Sequence, residues 1–147
     1  MRSKTVVRTT PTRHFFDTSI ACSSLGIKPA DLLNDYRTFG LFFEDFAVRD
    51  LRIYADMLGG EVRHYRDSNG LECDAVLHLD DGRWAAIEIK LGGEKGISEG
   101  IRNLIRLEEG LSSEYPKPSF RMILTAGGRA YKTPEGVVVA PINKFGA

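Results

Sequence analysis

Two neighbouring segments with the pattern of buried strands constrain this chain most. Residues 71–79 and 83–91 each alternate at the period of a β-strand, and the turn residues Asp80-Asp81-Gly82 separate them. In an antiparallel hairpin the apolar residues of both strands share one face of the sheet. The opposite face then gathers Glu72, Asp74, Glu88 and Lys90. In a sheet that only covers the surface, charged residues seldom have so many apolar neighbours along the strand. The pattern therefore predicts a cluster of charged side chains that is partly buried in the core.

The predicted cluster has the chemistry of a divalent-metal site. Carboxylates on adjacent strands repel one another unless a cation or a proton lies between them. Mg²⁺ (or Mn²⁺) suits them, since it takes one or two carboxylates and fills its octahedron with water and phosphate oxygens. We expect Asp74 and Glu88 to be ligands, the backbone carbonyl of Ile89 to complete the set, and Glu72 to be an auxiliary acid. Lys90 would orient a water or stabilise negative charge at phosphorus.

A long helix is predicted before the strands, over residues 40–58, closed by Gly59-Gly60. Its apolar arc is interrupted by two acids, Glu44 and Asp50, and an ionised carboxylate needs a partner there. Either acid can be neutralised by an arginine or a backbone donor. Glu44 is also a candidate for the metal site.

The remaining pattern predicts an α/β fold with a mixed sheet flanked by helices. A short strand is expected at residues 14–17, with short helices near residues 18–25 and from Pro29. The elements expected after the long helix are strands 61–66, 71–79 and 83–91, helix 97–111, and strands 120–125 and 136–141. The second long helix provides the crossover that parallel pairing requires.

Length and composition fit one domain, residues 14–147, preceded by an arm or linker at residues 1–13. No run is apolar and long enough to cross a membrane, and two cysteines, Cys22 and Cys73, are too few for a disulfide framework. A reducing cytoplasm is therefore expected. The 20 basic residues balance the 20 acidic ones, which counts against a dedicated nucleic-acid binder.

Asp74, thirteen intervening residues and then Glu88-Ile89-Lys90 resemble the PD-(D/E)xK signature of restriction-endonuclease-like nucleases. This resemblance implies a core of helix, three-stranded antiparallel meander, helix and strand. It implies that Asp74, Glu88 and Lys90 are catalytic, with Glu44 as the additional metal-site acid. Cys73 stands where the signature has proline.

Four segments resemble more narrowly the domain of unknown function that follows the AAA+ module in many prokaryotic ATP-binding proteins. They begin at His14 (HFFDTSIA), Gly40 (GLFFE), Tyr65 (YRD…GLECD) and Ile87 (IEIK), and the resemblance covers roughly residues 14–145. It implies an AAA+ ATPase partner, in cis or in trans. The loop at residues 92–98 lacks the spacing of a phosphate-binding loop, so no NTPase activity is expected of this chain.

Three functions are compatible with these residues. The first is a Mg²⁺-dependent phosphodiesterase acting on DNA, for which Arg66, Lys95, Arg102 and Arg106 are weak candidates for contacting the backbone. The second is an inactive interaction or DNA-binding module that serves an ATPase. The third is a structural ion-pair cluster without metal affinity.

Overall fold

The computed structural model describes residues 17–111 and 115–145. The predicted arm at residues 1–13 and most of the strand predicted at 14–17 lie outside the described residues. The helices are α1 (Thr18–Leu25), α2 (Pro29–Asn34), α3 (Tyr36–Met57) and α4 (Glu94–Glu109). The strands are β1 (Gly60–Arg66), β2 (Glu72–Leu79), β3 (Trp84–Lys90), β4 (Phe120–Thr125), β5 (Tyr131–Lys132) and β6 (Val138–Pro141), and a 3₁₀ turn follows at Ile142–Lys144.

The strands form one mixed six-stranded sheet in the order β1-β2-β3-β4-β6-β5. β1, β2 and β3 form an antiparallel meander. α4 is the crossover that lets β4 lie parallel to β3, and β6 is parallel to β4. The predicted α/β class, with helices flanking a mixed sheet, is confirmed.

The helix ends follow from side chains that bond to the main chain. Asp17 caps α1 by accepting from the amide of Ser19 at 2.8 Å, and Gly26 ends it with a φ of 65°. α3 begins earlier than residue 40, because Asp35 accepts from the amides of Arg37 and Thr38 at 3.1 Å each. Within the described ranges, no helix has the length and apolar character needed to span a bilayer.

The sheet has a core on each side. The α3 face is covered by α3, and its buried residues include Leu51 of the helix with Ile87 and Ile89 of β3. The α4 face is covered by α4, whose Leu104 packs with a second set of buried residues. Alternate residues of β3 therefore belong to different layers, which assigns Glu88 and Lys90 to the α4 face.

The strand alternation predicted for β2 fails at its start. Cys73 was expected on the same face as Ala75, but it packs in the cluster on the α4 face. The cause is a register shift between β1 and β2, at Arg63 and Tyr65, which is where a β-bulge breaks the two-residue period. Burial raises the pKa of the Cys73 thiol to about 12, so this thiol stays protonated.

Candidate active site

The Asp74 carboxylate is bound to the main chain of the neighbouring strand. Ladder pairing between β2 and β3 runs only from His78 opposite Trp84 to Ala75 opposite Ile87. Beyond that point the Oδ2 atom of Asp74 accepts from the backbone N–H of Ile89 at 2.8 Å. The side chain thus replaces a backbone acceptor and is fixed against β3.

Lys90 connects the two carboxylates of the site. Its Nζ lies 2.7 Å from Oε2 of Glu88 and 3.2 Å from Oδ2 of Asp74. Burial by itself lowers the pKa of Lys90, but the charges of Asp74 and Glu88 outweigh it and raise the pKa above its ordinary value. One ammonium group is therefore held between two acids.

Glu88 is the most enclosed member, with 3% of its side chain exposed. Burial raises its pKa to about 7, and the nearby charge of Asp74 adds to the effect. Lys90 and a hydrogen bond from Asn103 of α4 act in the opposite direction. Asn103 thus belongs to the site. The sequence offered no reason to single it out beyond its place on the helix after β3.

A glycine of α4 lets this helix approach the site closely. A Cβ atom built at Gly100 would lie 2.7 Å from Cδ1 of Ile123 and 3.5 Å from Cβ of Glu88. One built at Gly96 would lie 3.9 Å from Cβ of Lys90, which is an ordinary contact. Gly100 therefore allows the helix backbone to lie over the acid, and the same approach brings Asn103 within reach.

The other predicted acids have different surroundings. Glu72 forms an ion pair with Arg66, with Oε1 and Nη1 2.7 Å apart, beside the turn that joins β1 to β2. Glu44 is half-buried on α3, the helix that covers the opposite face. Among residues 17–111 and 115–145, no group of three or more His, Cys, Asp or Glu side chains is placed to hold a metal. The structure brings together Asp74, Glu88 and Lys90 of the predicted set.

The donor chemistry of this set fits a small hard cation. Both carboxylates already face one positive charge, the ammonium of Lys90. Mg²⁺ needs only one or two protein carboxylates, because water and phosphate oxygens complete its coordination. The roles of the Ile89 carbonyl and of Glu44 stay predictions.

The predicted nucleic-acid contacts divide into two groups. Lys95, Arg102 and Arg106 are exposed on α4, and within the described part of the chain none of them forms an ion pair. Arg102 and Arg106 are one helical turn apart and so lie on the same side of α4. Arg66 is occupied by Glu72 in an exposed pair, which is worth little and is easily exchanged.

Comparison with known proteins places the chain in a family. Residues 39–145 match the family model described as "Domain of unknown function (DUF4143)", and this segment contains all of the sheet, α4 and most of α3. No curated protein matches the chain at a significant level. Because the matched segment is well over half of the chain, this protein belongs to the DUF4143 family.

Proposed function

We propose that this domain is a divalent-metal-dependent phosphodiesterase of the PD-(D/E)xK type that acts on DNA. The observation that carries the proposal is the position of the Lys90 ammonium, which is within hydrogen-bonding distance of both Asp74 and Glu88. Two acids and a lysine gathered at the end of adjacent strands, in a partly water-excluded setting, suit the handling of a phosphate group.

Each residue of the site has a proposed role. Asp74 and Glu88 would hold Mg²⁺ or Mn²⁺, with the Ile89 carbonyl as a further ligand. When bound, such an ion supplies positive charge that polarises a phosphoryl oxygen and acidifies a water. Lys90 then stabilises the negative charge that develops on the phosphate, and it is preorganised for this because both carboxylates hold it. Asn103 fixes the orientation of Glu88.

The element order supports a restriction-endonuclease-like core. α3, the meander β1–β2–β3, the crossover helix α4 and the parallel strand β4 follow one another as that core requires. Its acids and lysine come from β2 and β3, as in the PD-(D/E)xK pattern. The narrower sequence resemblance adds a proposed partner, an AAA+ ATPase domain in cis or in trans.

One observation favours a second candidate, an inactive nuclease-fold module that binds DNA or an ATPase. Lys90 already compensates the charges of Asp74 and Glu88, so the cluster is satisfied as an ion-pair network without a metal. The equal numbers of basic and acidic residues favour an ATPase over DNA as the partner of such a module, because a dedicated nucleic-acid binder usually has a basic excess.

Cleavage of labelled single-stranded, duplex and branched DNA in Mg²⁺ or Mn²⁺ distinguishes the two candidates. We expect the wild type to cut at least one of these substrates, and Asp74→Asn and Lys90→Ala to be at least about 100-fold slower, because each removes a charge that acts on the phosphate. Lys117→Ala, which changes an exposed lysine paired with Glu108, is the control and should cut normally. A wild-type protein that binds DNA but cuts none of the substrates would favour the inactive module.

A further inference from the structure

A pocket lies on the α4 face, at the turn between β2 and β3. Its volume is about 270 Å³. It is lined by His78, Gly82, Trp84, Leu111, Tyr115 and Pro116. We call it the Trp84 pocket.

The aromatic rings of this pocket are held in place. Trp84 and His78 stand opposite each other in the β2–β3 register, with ring planes inclined by 17° and centroids 6.2 Å apart. The indole N–H of Trp84 donates to the carbonyl of Pro116 at 2.9 Å, which fixes the ring and satisfies its polar group. Tyr115 is 40% exposed at the edge of the pocket. Trp84 itself is 9% exposed, so the ring surface that the pocket offers a flat ligand comes mainly from the half-buried His78 and from Tyr115.

The charges near the pocket lie outside it. Among residues 17–111 and 115–145, its lining contains no acid, lysine or arginine. Burial lowers the pKa of His78, the charge of Arg63 adds to this effect, and Glu61, which stands opposite His78 on β1, opposes it, so the neutral imidazole is favoured. Arg63 is exposed on β1, on the same face of the sheet, and its pairing with the exposed Glu61 is weak enough to be exchanged for a phosphate. A neutral ring joined to an anion is the ligand that this combination fits, and a nucleotide has that chemistry.

The pocket shares a sheet face with the candidate active site. Trp84 and Glu88 are four residues apart on β3, about 13 Å at the rise of a strand. Ala86 between them is buried in the cluster that α4 covers. A polynucleotide that reaches both points must therefore pass beside α4, along the β1 side, where Arg63 is exposed.

We propose that the Trp84 pocket binds an unpaired base of single-stranded DNA whose backbone extends to Asp74, Glu88 and Lys90. A duplex hides the faces of its bases in the stack, whereas a single strand offers them to aromatic side chains. This inference rests on the proposed phosphodiesterase activity, because it names single-stranded DNA as the substrate of that activity. The binding of the base itself needs no metal and no cleavage.

The test uses the intrinsic fluorescence of Trp84, which is the only tryptophan of the chain. The full chain is titrated with a short oligothymidylate in the absence of divalent metal, and then with a duplex of the same length. Saturable quenching by the single strand is expected, with at least tenfold weaker quenching by the duplex. Duplex binding as tight as that of the single strand, or no quenching by the single strand, would overturn the proposal.

A variant at the edge of the pocket makes the test specific. Tyr115→Ala should weaken binding of the oligothymidylate by roughly tenfold, because one stacking contact is lost, without disturbing a buried core. Tyr36→Ala, which removes an exposed ring from the first turn of α3, is the matched control and should bind like the wild type. Equal affinity of the Tyr115 variant and the wild type would contradict the assignment of the pocket.

Failure of this inference is distinguishable from failure of the phosphodiesterase. Quenching by single-stranded DNA without any cleavage would retain the pocket and reject the activity. Cleavage without quenching would retain the activity and reject the pocket. Asp74→Asn should abolish cutting, and the oligothymidylate should still quench Trp84, since Asp74 does not line the pocket.

Discussion

Ile87 and Glu88 are consecutive residues of β3, and the sheet separates them into two different environments. Both are buried, with exposures of 0% and 2%. Ile87 points into the apolar cluster under α3, while Glu88 faces α4, Lys90 and Asn103. The comparison teaches that burial does not decide chemistry by itself. A charged group is accommodated where the neighbouring helix and strand supply partners for it.

The two faces also divide the tasks of the fold. On the α3 face, apolar side chains fill the space, and their burial stabilises the domain. On the α4 face, part of the same area is given to charged and amide groups, whose net contribution to stability is small. We therefore expect substitutions on the α3 face to lower mainly the stability of the domain, and substitutions on the α4 face to lower mainly its activity.

The largest loss of stability is expected on the α3 face. Ile87→Ala should lower the free energy of unfolding by about 2–5 kcal/mol, because it removes buried methyl groups and leaves a cavity against α3. Urea unfolding measures this change. Ile53→Ala, at an exposed position of α3, is the control and should change stability by less than about 0.5 kcal/mol. Equal effects of the two variants would show that the α3 face is not the stabilising core.

On the α4 face, Lys90→Ala should lower the free energy of unfolding by about 3 kcal/mol in metal-free buffer, because Asp74 and Glu88 lose their shared cation. Adding Mg²⁺ should restore part of the loss, as measured by thermal unfolding. The exposed Lys117→Ala should show neither the loss nor the recovery. A Lys90 variant that unfolds like the wild type would mean that the two carboxylates do not depend on their bridging ammonium.

The smallest change concerns the approach of α4. Gly100→Leu should cost about 1–3 kcal/mol, since its side chain must displace Ile123 and lift the helix from Glu88. Gly96→Ala, whose added Cβ meets only an ordinary contact with Lys90, should be neutral or slightly stabilising. Chemical denaturation of both variants checks this difference. Similar stability of the two would contradict the role of Gly100 as the point of close contact.

Much of the fold was predictable because local signals agreed with the final structure. Asp17 and Gly26 mark the ends of α1, and the turn at residues 80–82 joins two strands whose predicted ends differ from those observed by at most one residue. The meeting of Asp74, Glu88 and Lys90 followed from placing both strands in one hairpin. The β-bulge near Cys73 and the two-residue strand β5 were both missed, because neither produces a periodic pattern in the sequence.

The missed part of the site depends on contacts between elements. Asn103 reaches Glu88 only because Gly100 lets α4 approach, and no spacing within α4 reveals which side chain will point at the acid. The start of α3 was placed four residues late, because the cap provided by Asp35 precedes the amphipathic stretch. Periodicity identifies the body of a helix more reliably than its first turn.

The position of β1 at the end of the strand order has a consequence for the behaviour of the protein in concentrated solution. Within the described residues β2 is its only neighbour, so β1 presents a row of main-chain donors and acceptors that another chain can extend. Its exposed Glu61, Arg63 and Arg66, and the register shift beside Arg63, oppose such strand addition. Arg63, which borders the proposed DNA path, thereby also helps to prevent edge-to-edge aggregation of the sheet.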